Sequence, residues 1–231
     1  MFSARRGIDS IMQIKVVIPA SGKGIRLGGK IPKQFQLLGG LPILFRTIDA
    51  FQKHEMVTEI VLAVPSEYVQ EVKGYGFEKV LHVVEGGICR VSSVNNALQV
   101  ISKGGIVLIH DGARPFVSAE TITAVATVAN KYGAAVACTP VTDTIKEVSS
   151  TGTGQIISTP NRNNLWRAQT PQGFTYDLIM QAQQDFENIE NITDDSTLVE
   201  RLGKPVYIVK DSPRNMKITT PEDLIIAEAF L

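Results

Sequence analysis

The sequence predicts an α/β fold: a mostly parallel sheet with helices on both faces and a projecting β-hairpin arm. Three observations carry that reading. Short β-branched runs alternate with helix-like segments through residues 14–138, the rhythm of parallel strands joined by helical crossovers. The first apolar run opens into a glycine-punctuated loop rich in cations. Past residue 140, two extended runs around a Gly/Ser/Thr turn break the alternation.

The elements follow in order. Strands are expected at Ile14–Ile18, Glu59–Val64, Lys79–Val84, Ile106–Ile109 and Ala134–Cys138, where apolar residues run almost without interruption. Helices are expected between them, at Pro42–Lys53, Ser66–Lys73, Val91–Ile101 and Ala119–Tyr132. In the first helix Leu44, Ile48 and Phe51 share one face. The hairpin comprises Thr144–Val148 and Gln155–Thr159, flanking SSTGTG, so the arm covers residues 144–159. A lone two-stranded ribbon is marginal in water, and a symmetric partner subunit is the simplest cover for its apolar residues. At the C-terminus Thr220-Pro221-Glu222-Asp223 starts a helix, with a cap, a first-turn proline and acids at the positive dipole end. Leu224, Ile225 and Ala229 are expected to lay that helix on the core. Residues 1–231 read as one domain, and Met12 stands just before the first strand, leaving 1–11 as an extension or an upstream start.

Composition limits the function. A chain of 231 residues that is 44% hydrophobic and 20% charged can bury a substantial core. Its 23 basic and 23 acidic residues balance, which argues against a broad nucleic-acid or anionic-membrane footprint. No apolar run approaches a membrane span. Cys89 and Cys138 stand alone, with no C-x-x-C, and read as reduced thiols of a cytoplasmic protein. His54 and His82 read as surface or packing residues, and His110, beside Asp111, as a residue that orients its loop.

The stretch Ile14 to Lys33, IKVVIPASGKGIRLGGKIPK, carries the strongest chemical signal. Val16, Val17 and Ile18 break at Pro19 into a loop bearing Lys23, Arg26, Lys30 and Lys33. Glycines let backbone N–H groups approach phosphate oxygens, and fixed cations neutralise them, which suits a nucleoside triphosphate. Two known phosphate loops are excluded by the letters. GIRLGGKI lacks the hydroxyl that follows a P-loop lysine, and Gly22-x-Gly24 meets Leu27 where a dinucleotide fingerprint needs glycine. A hydride-transfer enzyme would also want an acid ending the second strand, where Val64-Pro65 stands. Ligands of such sheets sit outside the carboxyl ends of strands, where the first loop and the segment His110-Asp-Gly-Ala-Arg-Pro115 would both lie.

Further blocks follow in order: P-K-Q-F, G-G-x-x-R-x-x-S-V, P-V-T-D-T-I-K, R-N-N-L-W-x-x-Q-T-P-Q-x-F, T-D-D and N-x-K-I-T-T-P-E-D-L. Together with P-A-S-G-x-G-x-R and H-D-G-A-R-P, they make residues 14–231 resemble the 2-C-methyl-D-erythritol 4-phosphate cytidylyltransferases of the non-mevalonate isoprenoid pathway. The resemblance implies a Rossmann-like nucleotidyltransferase sheet, the substrates CTP and 2-C-methyl-D-erythritol 4-phosphate, and a homodimer formed through the hairpin arm. Ribitol-5-phosphate cytidylyltransferase is the alternative within the same chemistry, differing mainly in the acceptor. A nucleotide-sensing module would have no need of Arg26, Lys33, Arg162 and Lys217 together.

The resemblance also implies roles, position by position. Arg26 and Lys33 match the pair that stabilises the transition state, and Arg162 and Lys217 the pair that positions the acceptor phosphate. Ala20, Ser21, Gly22, Lys23 and Gly24 match the loop around the triphosphate, while Gly87, Ile88 and Ser93 match the segment that reads cytosine and ribose. Ile88 has no polar side chain, so a contact with the base there must come from backbone, which Gly86 and Gly87 would let approach. Asp111 and Gly112 belong to the CTP side; Arg114 braces the loop or reaches the acceptor. Thr144, Thr170 and Thr193 match acceptor-binding positions, with Thr144 and Arg162 delivered to the neighbouring subunit's site. Arg90 with Ser92, and Asp194 with Asp195, can equally be read as helix caps. Magnesium is implied by triphosphate chemistry, held mainly by phosphate oxygens and water, with no protein ligand assigned.

The attacking phosphate monoester has a second pKa of about 6 and is already largely anionic, so no general base is required. Catalysis then amounts to positioning two anions and stabilising the charge that builds on the α-phosphoryl group.

Overall fold

A computed structural model describes residues 12–22, 31–149, 152, 154–184 and 192–231 of the chain. Among these residues a seven-stranded sheet forms the centre, with spatial order β11-β7-β10-β6-β1-β4-β5. In chain order the strands are β1 (Ile14–Pro19), β2 (Leu37–Leu38), β3 (Leu41–Pro42), β4 (Val57–Val64), β5 (Val80–Glu85), β6 (Ile106–Ile109), β7 (Ala134–Pro140), β8 (Glu147–Val148), β9 (Ile156–Ser158), β10 (Trp166–Thr175) and β11 (Tyr207–Lys210). The helices are α1 (Ile43–Gln52), α2 (Val69–Gly74), α3 (Arg90–Leu98), α4 (Ala119–Tyr132), α5 (Tyr176–Ala182), α6 (Asp195–Arg201) and α7 (Pro221–Glu228).

The alternation seen in the sequence becomes parallel pairing: β1 lies between β4 and β6, β4 pairs with β5, and β11 pairs with β7. β10 is the exception. It runs antiparallel between β6 and β7, and neither it nor β11 was among the expected strands. The expected helix at Ser66–Lys73 begins instead as a 3-10 turn at Ser66–Tyr68 and becomes helical at Val69.

Period-two alternation sorts the strand side chains onto two faces. Ile14, Val16 and Ile18 pack with α1 and α4 residues, including Leu44, Ile48, Phe51, Ile122 and Val125, whereas Val17 packs with Val94 and Leu98 of α3 and Leu198 of α6. Helices therefore cover both faces, as expected. Lys15 is buried in β1 because its ammonium donates to the carbonyls of Ser102, Lys103 and Gly104 at 2.6, 2.6 and 2.7 Å.

Two terminal expectations resolve differently. Thr220 and Asp223 form the capping box of α7. The buried face of that helix, however, is Leu224 and Ala227 against Leu38, Ile43 and Ile218, while Ile225 and Ala229 are exposed. The helix sits at the rim of the core and touches it along a single i, i+3 line. The hairpin is present as β8 paired with β9, shorter than 144–159, and Val148, Ile156 and Ile157 are all more than half exposed. Among the described residues no helix is long and apolar enough to cross a membrane.

Candidate active site

A cleft of about 460 Å³ opens where β1, β5 and β6 end. Backbone bonds hold its floor together: Ala20 N–H donates to Ala63, Gly86 N–H to Val64, His110 N–H to Val17 and Gly112 N–H to Pro19. The start of the first loop is fastened by Gln34, whose amide donates to the carbonyl of Ala20 and, at 3.2 Å, to that of Gly22. Ser21 and Ser93 meet through their hydroxyls at 2.7 Å, and Ser93 Oγ also accepts from Gly87 N–H at 3.0 Å. One hydroxyl thus ties the loop after β1 to the loop after β5.

That junction also gives the neighbouring glycines a structural purpose. A Cβ on Gly86 would collide with the Ser21 side chain, and one on Gly87 with Ser92. These glycines permit a close approach between the protein's own loops. Ile88, just beyond, projects its side chain fully into solvent.

The electrostatic centre is Asp111, which follows β6. Its carboxylate accepts from Arg90 Nε at 3.1 Å, Lys217 Nζ at 2.9 Å and Arg114 Nε at 3.5 Å. Burial alone would raise its pKa, but Arg90, Lys217 and Arg114 hold it well below the usual carboxylate range. Asp111 is therefore a fixed negative charge surrounded by positive ones. Its backbone N–H donates to Thr170 Oγ1, which also contacts His110 Nδ1, while His110 Nε2 lies 2.9 Å from the Arg114 carbonyl. An N–H can only donate and a carbonyl only accept. The Thr170 hydroxyl therefore accepts from Asp111 and donates to Nδ1, and Nε2 carries the ring proton. Burial lowers the His110 pKa to about 4, so the ring is neutral. It orients its loop, as expected.

The family model described as 2-C-methyl-D-erythritol 4-phosphate cytidylyltransferase matches residues 14–231. The chain belongs to this family. A cytidylyltransferase of that name from Bacillus mycoides is 43% identical over 221 residues, covering 94% of this chain and 96% of its own. One from Geobacter metallireducens is 42% identical over 231 residues, covering 95% and 98%. Among solved structures, the 4-diphosphocytidyl-2C-methyl-D-erythritol synthase of Anaerococcus prevotii is similar with a TM-score of 0.82 at 29% identity. It covers 95% of this chain and 98% of its own. The Thermus thermophilus cytidylyltransferase gives 0.77 at 34% identity, with the same coverage.

Within this cytidylyltransferase fold the expected residues are distributed unevenly. Ala20, Ser21, Gly22, Lys33, Gly87, Ile88, Asp111, Gly112 and Lys217 line the cleft. Ser93 joins it through Ser21, Arg114 through Asp111, and Thr170 through the Asp111 backbone. Arg114 braces its loop, its Nη1 donating to the Asn215 carbonyl at 2.7 Å. Arg162 and Thr144 do not line the cleft of their own chain; Arg162 donates to the Thr142 carbonyl at 2.8 Å from an exposed 3-10 turn. Thr193 is exposed before α6, its hydroxyl 3.3 Å from that of Thr197. Lys23, Gly24, Arg26 and Lys30 lie outside the described residues.

Two cap readings are corrected. Cys89, not Arg90, caps α3 in a capping box with Ser92, and Asp194 alone caps α6. Arg90 and Asp195 pair with each other at 2.6 Å. Sequence reasoning also passed over Gln34 and Asn215. The amide of Asn215 donates to Thr170 O and Asp211 Oδ2 at 2.7 and 2.6 Å. P-K-Q-F and N-x-K-I-T-T contained both residues, but only the folded chain shows which backbone groups they reach.

Proposed function

We propose that the chain transfers a cytidylyl group from CTP to 2-C-methyl-D-erythritol 4-phosphate, releasing pyrophosphate and giving 4-diphosphocytidyl-2-C-methyl-D-erythritol for isoprenoid precursor synthesis. The observation that carries the reading is the cleft at the strand ends, lined by Lys33, where Arg90, Arg114 and Lys217 surround one buried carboxylate. The reported relatives are named for the methylerythritol acceptor, so the ribitol-phosphate alternative is not favoured.

In this reading the loop after β1 and the turn at Gly87–Ile88 form the nucleotide wall, with Lys33 and Arg26 supplying transition-state charge. Lys217, half-exposed and tethered to Asp111, meets the acceptor phosphate. The acceptor's phosphate oxygen attacks the α-phosphorus, a P–O bond forms, and the bond to the pyrophosphate oxygen breaks. Magnesium, when bound, neutralises the phosphate oxygens. Among the described residues Asp111 is the carboxylate lining the cleft, and both its oxygens already face cations. That arrangement fits an ion carried by the triphosphate better than one held by the protein.

A homodimer belongs to the same proposal, supported by the exposed apolar residues of the β8–β9 arm and by the position of Arg162 away from its own cleft. A cytoplasmic setting is supported by the two free thiols, Cys89 and Cys138.

Pyrophosphate release tests the reading. CTP with methylerythritol phosphate should turn over rapidly, ribitol 5-phosphate poorly, and UTP far more slowly than CTP, because groups that hydrogen-bond the cytosine amine are left unpaired by uracil. Absence of CTP turnover with either acceptor refutes the proposal, and equal rates with both acceptors would reinstate the alternative.

A further inference from the structure

Arg90 begins α3, yet its side chain leaves the helix to join two acids from distant parts of the chain. Nε donates to Asp111 Oδ1 at 3.1 Å and Nη1 to Asp195 Oδ2 at 2.6 Å. Asp195 is wholly buried at the start of α6, and its Oδ1 has no hydrogen-bond partner among the described residues. On its other side, Asp111 Oδ2 faces Lys217 at 2.9 Å and Arg114 at 3.5 Å.

We infer that Arg90 is a positioning residue for the transfer reaction: it fixes the Asp111 carboxylate, and through it the Lys217 ammonium, at the cleft wall. The inference rests on the functional reading above, in which Lys217 meets the acceptor phosphate. A planar carboxylate gripped at both oxygens has little freedom to rotate, so the cation on one oxygen is placed by the cation on the other. Arginine suits this task and lysine does not, since only a rigid fork of donors can span two carboxylates in a fixed geometry.

Arg90, Arg114 and Lys217 bring three positive charges to the two carboxylates Asp111 and Asp195. Arg90 lines the cleft beside Gly87 and Ile88, so one guanidinium connects the nucleotide wall to the acceptor wall.

A purely structural role would be the neutralisation of buried Asp195, and the experiment separates the two. Three proteins are compared with the unaltered chain by thermal melting and by steady-state kinetics with each substrate varied: Arg90→Met, Arg90→Met combined with Asp195→Asn, and Arg90→Lys. Arg90→Met should melt early, because it strands a buried carboxylate. The double variant should recover the melting temperature, since the stranded charge is gone. It should still show an acceptor KM raised roughly 10- to 100-fold, the scale of one lost charge-assisted hydrogen bond, with a smaller change in the KM for CTP. Arg90→Lys should fold and show the same acceptor defect. Recovery of the acceptor KM together with stability in the double variant, or full rescue by lysine, would reduce Arg90 to a counter-ion and overturn the inference. An unaltered chain with no CTP turnover would refute the functional reading and this inference with it, whereas an active chain whose variants keep the acceptor KM refutes the inference alone.

Discussion

His110 shows how a single residue can be legible in kind but not in wiring. Its place at a strand end beside Asp111 marks it as a loop anchor, but Thr170, which fixes its tautomer, lies 60 positions away. Arg90 and Asp195 are 105 positions apart, and nothing in G-G-x-x-R or T-D-D announces their pairing. The wiring has a measurable consequence. A buried neutral histidine with a pKa of about 4 stays unprotonated while the unfolded chain, near 6.5, takes up a proton. The contribution is thus complete above pH 6.5 and is lost as pH falls toward 4, by about 3 kcal/mol at most. NMR titration should show the His110 ring neutral at pH 6. Denaturant unfolding should show stability declining across that window, and a ring that titrates near 6.5 would contradict the assignment.

At the scale of elements, β1, β4, β6 and β7 were legible because, buried on both faces, they read as nearly unbroken apolar runs. β10 was not, because Gln169, Thr170, Pro171, Gln172 and Gly173 spell a poor strand. Each has a local reason. Gln169 donates to the Asn215 carbonyl, and Gln172 donates to Asp194 and accepts from Ser196 N–H. The register with β7 shifts between Ala168 and Gln172, where Pro171 needs no ladder donor. Gly173 lets α4 lie against the strand, since a Cβ there would meet Val125 at 2.8 Å, Leu108 at 2.9 Å and Ala129 at 3.2 Å. Gly173→Ala is therefore expected to cost about 1–3 kcal/mol in urea unfolding by overpacking. A neutral result would mean that α4 can move away freely. β11 escaped notice for a simpler reason: four residues at a sheet edge make too short a pattern to distinguish.

For the whole molecule, the arm and the cleft make a joint prediction about subunits. If Arg162 serves the partner's site while Lys33 serves its own, mixing Arg162→Ala with Lys33→Met protein after subunit exchange should restore activity, because each heterodimer holds one intact site. Each parent should lose about two orders of magnitude in kcat, and no recovery despite verified exchange would place Arg162 in its own chain or outside the reaction. The strand order has another consequence, for synthesis on the ribosome. β6 and β7 are consecutive in the large sheet's chain order, yet they do not pair, because β10 fills the space between them. A nascent chain that has not reached Trp166 carries two open strand edges toward the middle of its sheet, where a finished protein has none. Chains released before that point should accumulate as aggregates, while those carried through Thr175 should stay dispersed. Translation speed across residues 141–175 thus sets how long each new molecule is vulnerable.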